Sequence, residues 1–104
     1  MRLFLIAVVL GFSVHAASVS ASEASDSLLN ADRALAAQSH SIGFVAVYSK
    51  AMAPDARKLD GGVPPAIGRD AILALMARYP ADLALDWIPE EAVVASSGDL
   101  GFTW

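Results

Sequence analysis

Gly68-Arg69-Asp70-Ala71-Ile72-Leu73-Ala74-Leu75-Met76-Ala77-Arg78-Tyr79-Pro80 runs directly into Ala81-Asp82-Leu83-Ala84-Leu85-Asp86-Trp87-Ile88-Pro89, and the two segments differ in period. In the first, Ile72, Leu73, Leu75, Met76 and Tyr79 form an apolar stripe at helical spacing. Asp70 sits favourably at its positive end, and Pro80 lies just past its finish. In the second, Leu83, Leu85 and Trp87 alternate with Ala84, Asp86 and Ile88, the period of an extended chain. Pro89 has no N–H to donate, so this reads as an edge or bulged strand. One helix-to-strand switch at this point places helices before it and strands after it.

The flanks extend that order. Upstream, Leu28, Leu29, Ala31, Leu35 and Ala36 recur near helical spacing, which predicts a helix over 27–39 capped by Asp26 or Ser27. Ser22–Ser27 reads as a frayed tail. A polar break at 38–41 precedes a second helix over 42–52, with Phe44, Val47 and Tyr48 on its apolar face and Pro54 as its stop. Residues 55–59 read as a short strand, and Asp60-Gly61-Gly62 as a turn continued by Val63-Pro64-Pro65. Downstream, Ala92–Ser96 is extended, Ser97-Gly98-Asp99 is a tight turn, and Leu100, Phe102 and Trp104 alternate again. Helices followed by antiparallel strands make an α+β domain.

The chain has 104 residues, enough for one domain, and its first part differs from the rest. Arg2 supplies an early positive charge, Leu3–Val14 is an apolar run, and Val19-Ser20-Ala21 is a small-x-small cleavage signal. These are the three regions of a secretory signal peptide, here residues 1–21, with cleavage after Ala16 or Ala17 as alternatives. The run is too short for a membrane anchor, which needs about 20 apolar residues. The expectation is a periplasmic or secreted protein with no stable membrane anchor after cleavage, and one domain over 22–104. Without Arg2 the net charge is −5 rather than −4. An acidic chain with scattered Lys and Arg excludes nucleic acid as the expected partner. There is no cysteine, which excludes thiol catalysis, thiolate metal sites and disulfides.

Four motifs, in this order, resemble the nuclear transport factor 2-like superfamily, and more closely its SnoaL-like and ketosteroid isomerase-like domains. They are the helix pair ending in Tyr48-Ser49-Lys50-Ala51-Met52-Ala53-Pro54-Asp55-Ala56; the short strand and loop Arg57–Pro65; the helix opening Gly68-Arg69-Asp70-Ala71-Ile72; and Leu85-Asp86-Trp87-Ile88-Pro89 leading to Ser97-Gly98-Asp99-Leu100-Gly101-Phe102-Thr103-Trp104. The resemblance covers nearly all of residues 22–104. It implies a cone-shaped, cystatin-like fold: a bent antiparallel sheet packed on N-terminal helices, with a pocket at its open end. Complete members carry two more strands, so the last strands are expected to be missing here. The resemblance also makes a homodimer an expected partner.

Asp55-Ala56-Arg57-Lys58-Leu59-Asp60 resembles the isomerase stretch whose last Asp is the general base, which makes Asp60 the candidate catalytic residue. The plain reading of Asp60 is the opening of a turn, since Asp before Gly is common there. No tyrosine stands on the first helix to act as an oxyanion donor. Phe44, Tyr48, Trp87, Phe102 and Trp104 are the candidate pocket residues for a small apolar organic molecule; equally, they are ordinary core. Asp86 with Glu90 or Glu91 is a weaker carboxylate pair, read more simply as a solvated face. His40, the one histidine after the leader, has no partners at metal-ligand spacing and reads as part of the polar break. No cofactor and no metal are expected. The functional alternatives are a non-catalytic binding module, a cofactor-free isomerase or cyclase using Asp60, and a dimerisation module or non-functional fragment.

Overall fold

The computed structural model describes residues 20–104. The expected leader therefore lies almost wholly outside the described residues; its last two, Ser20 and Ala21, are the cap and first residue of a helix. That helix, α1, spans Ala21–Ile42. It begins six residues before the expected position and ends three after it. The cause is a capping box: the Glu23 N–H donates to Ser20 Oγ at 3.3 Å, and Glu23 Oε2 accepts from the Ser20 N–H at 3.0 Å. Two of the helix's unpaired N-terminal donors are satisfied reciprocally, and Ser22–Ser27 is helical rather than frayed.

The polar stretch 38–41 does not break α1. Ser39 is buried and returns its hydroxyl to the Ala36 carbonyl at 2.8 Å, so its polarity costs the helix little. The break falls at Gly43, whose φ of 84° lies in the left-handed region that side chains with a Cβ avoid. Its N–H closes α1 on the Ser39 carbonyl at 2.9 Å, and its carbonyl opens α2 by accepting from Val47 at 3.1 Å. α2 spans Phe44–Ala51, and the chain leaves it extended at Met52, ahead of Pro54.

Two-residue strands β1 (Arg57–Lys58) and β2 (Ala66–Ile67) then pair antiparallel around the Asp60-Gly61-Gly62 turn. β2 immediately precedes α3, Arg69–Met76. The Gly68 N–H donates to the Ala56 carbonyl at 2.8 Å and the Arg69 N–H to the Pro54 carbonyl at 3.0 Å, which ties the start of α3 to the end of the α2 connection.

The expected strand over 83–88 does not form. Its alternation is real, but no neighbouring strand pairs with it, and Leu83, Leu85 and Ile88 are all exposed. Period-two patterning without a hydrogen-bonding partner leaves an extended connection. Strands β3 (Ala92–Val94) and β4 (Gly101–Thr103) form the second hairpin, with Val93 opposite Phe102 and the Gly98 turn between them. The four strands thus make two separate antiparallel hairpins, not one bent sheet. Among the described residues the architecture is α+β: three helices with two small sheets.

α1 packs on α2 and on the second hairpin, while α2 packs on α3. The core sits between α2 and α3, where Phe44, Ile72 and Met76 are buried. β4 approaches α1 so closely that a Cβ at Gly101 would lie 2.8 Å from Leu28 Cδ2 and 2.9 Å from the Val93 carbonyl oxygen. Only glycine fits there without displacement, and the rest of the hairpin's inner face is Ala92, Val94 and Thr103.

Candidate functional site

The buried stripe of α3 and the apolar face of α2 do not close completely on each other. Between them, and walled by β1 and the connection through Leu83 and Leu85, lies a cavity of about 620 Å³. Phe44, Tyr48 and Met52 contribute from α2 and its exit, and Ile72, Met76 and Tyr79 from α3 and the turn after it. The Phe44 and Tyr79 rings are tilted by 31° with centroids 5.8 Å apart, within the distance range of interacting aromatic pairs. Methionines at two of the six positions give the wall flexible, polarizable surface.

The polar part of the wall is β1 and the start of its turn: Arg57, Lys58 and Asp60. Lys58 Nζ donates to Asp60 Oδ1, and the pair is part-exposed. The Asp60 carboxylate raises the Lys58 ammonium above its ordinary range against the opposing effect of desolvation, and the neighbouring Tyr79 side chain adds to the rise. Lys58 is therefore a fixed cation at the edge of an otherwise apolar space.

The five candidate pocket residues separate into three places. Phe44 and Tyr48 line the cavity. Trp87 stands behind it: its ring lies 5.9 Å from that of Tyr48, and its indole N–H donates to Asp32 Oδ1 at 2.9 Å. Phe102 and Trp104 lie elsewhere, paired with each other on the outer face of the second hairpin and more than half exposed. The reason is strand phase. Gly101 and Thr103 must face α1, so Leu100, Phe102 and Trp104 point away from it.

Asp60 does border the cavity, but half exposed and bonded to Lys58 rather than aimed inward from an apolar surround. The weaker pairing of Asp86 with Glu90 or Glu91 does not form. Asp86 meets His40 Nε2 at 3.1 Å on the surface, while the Glu90 and Glu91 N–H groups donate to the Trp104 carbonyl. Among the described residues, no group of three or more His, Cys, Asp or Glu side chains could hold a metal ion, and no helix is long and apolar enough to cross a membrane.

Sequence reasoning missed Asp32, which is the hub of the α1–hairpin contact. Besides Trp87, it accepts from Thr103 Oγ1 at 2.6 Å. Its partners lie 55 and 71 residues away, but its own place was legible: Asp32 follows Leu28 by four residues and precedes Leu35 and Ala36 by three and four, within the apolar stripe of α1. Burial, and then the Asp32 charge, push the Tyr48 phenol above its usual value of 10.0. Lys58 and Tyr79 were also missed as site residues. The local signal for both was present: Lys58 two residues before the Asp60 turn, and Tyr79 closing the α3 stripe.

No protein-family model, no curated protein and no solved structure matches the chain.

Proposed function

We propose that this chain is an exported binding domain that holds a small, largely apolar organic molecule between α2 and α3. The observation that carries the reading is the cavity of about 620 Å³. Its volume falls within the range of roughly 300–1,000 Å³ typical of small-molecule sites, and its lining matches theirs: aromatic and aliphatic side chains with a few polar groups at one edge. In this reading the helices and two hairpins serve as a partial version of the cone expected of a SnoaL-like domain. Support for the cone comes from the motif order in the sequence. Export rests on the charge, apolar run and small-residue pattern of residues 1–21.

Acid–base catalysis by Asp60 is not part of the proposal. A general base needs a carboxylate free to reach the substrate proton and donors for the charge that develops. Asp60 is engaged by Lys58.

Nile red, a neutral apolar dye, tests the reading by fluorescence titration of the purified protein. The expected result is saturable binding with a blue-shifted emission. Met52→Trp, which fills part of the cavity, should weaken it by about tenfold while the far-ultraviolet circular dichroism stays unchanged. Leu83→Glu, at the exposed rim, should weaken it as well. Unsaturable dye uptake, or equal affinity in all three proteins, contradicts the reading.

A further inference from the structure

We infer that the molecule held here has an apolar body and a single anionic head, the head docking on Lys58 in place of Asp60 and within reach of the Tyr79 hydroxyl. The inference rests on the binding function proposed above and adds to it the chemical class of the ligand.

The distribution of charge carries it. The chain as a whole is acidic, with a net charge of −4. The polar edge of the cavity has the opposite balance: two cations, Arg57 and Lys58, against one carboxylate, Asp60. An ammonium beside apolar surface loses hydration, so it needs an anionic partner more than a fully solvated lysine does. In the unliganded chain that partner is Asp60, which follows Lys58 by two residues and stands half exposed. A carboxylate, sulfonate or phosphate head arriving from the cavity offers the same oxygens to the same Nζ. The displaced Asp60 side chain then turns into solvent at little cost, because it already stands half exposed at the opening of the turn.

Tyr79 supplies the second donor. Its ring is held against Phe44 inside the cavity, and its side chain stands close enough to Lys58 to favour the ammonium form. One residue thus spans the apolar and polar parts of the wall, which fixes the distance between the body of the ligand and its head. A neutral ligand leaves the Lys58–Asp60 pair untouched and gains nothing from it. A cationic one meets Arg57 and Lys58 and is repelled.

Decanoate, decanol and decylamine differ only in the head, and each can be titrated against bound Nile red at neutral pH. The expected order is decanoate tighter than decanol by about tenfold, with decylamine weakest. Lys58→Gln should bring decanoate down to the level of decanol. Asp60→Asn, an exposed loop change that removes the competing carboxylate, should move decanoate the other way, toward tighter binding.

Equal competition by decanoate and decanol, or tighter binding of decylamine, overturns the anionic head while leaving the apolar site standing. A decanoate preference that survives Lys58→Gln, or weaker decanoate binding in Asp60→Asn, overturns the role of Lys58. If Nile red itself does not bind, the proposed function fails before the head group is tested.

Discussion

Asp32 is a single carboxylate within the apolar stripe of α1, and two elements depend on it. Trp87 Nε1 and Thr103 Oγ1 donate to its two oxygens, one from the connection before β3 and one from β4. Hydrogen bonds to a charged acceptor contribute about 1.5–3 kcal/mol each, so Asp32 fastens both the second hairpin and the connection before it to α1. It also acts on Tyr48 through space. Because the folded-state value of Tyr48 is raised, the neutral phenol favours the folded state. Its contribution is fully present below the ordinary value of 10.0 and is lost as pH rises through the raised one. Asp32→Asn should therefore lower the Tyr48 titration midpoint without returning it fully to 10.0, since burial is the larger cause. Following the Tyr48 ring resonances with pH in both proteins checks this. An unchanged midpoint contradicts the coupling.

At the scale of elements, what could be read in the sequence was whatever local chemistry enforces. The α3 stripe, the stop at Pro54, the Asp60-Gly61-Gly62 turn and the β3–β4 hairpin follow from periodicity, missing donors and turn residues close together in the chain. The strand expected over 83–88 did not form because a strand needs a partner, and alternation does not say whether one exists. The cavity was legible only in part: Phe44, Tyr48 and Asp60 border it, but Phe102 and Trp104 were placed by strand phase, which Gly101 sets through its contact with Leu28. The early start of α1 was readable in Ser20-Ala21-Ser22-Glu23, a capping box that the leader pattern overlies. In the full-length chain, which retains Ser20, Ser20→Ala should cost about 1 kcal/mol of local stability. The expected sign is faster hydrogen exchange at the Glu23 and Ala24 amides, with α3 amides unaffected; unchanged exchange in the first turn contradicts a stabilising cap.

For the molecule as a whole, two apolar surfaces compete for a role. One is the cavity between α2 and α3, concave and edged by Lys58. The other is the outer face of the second hairpin, where Val93, Phe102 and Trp104 are exposed. A small molecule gains most from a concave site that surrounds it, whereas an open hairpin face contacts it on one side only. The methionine methyls make the two surfaces separable, because Met52 and Met76 both line the cavity and neither lies on the hairpin. The most direct measurement is a titration of decanoate into protein carrying isotope-labelled methionine methyls, with the Trp104 indole N–H followed in parallel. Shifts of Met52 and Met76 together, with one affinity and with Trp104 still, are the predicted result. Movement of Trp104 while both methionine methyls stay in place would contradict the account.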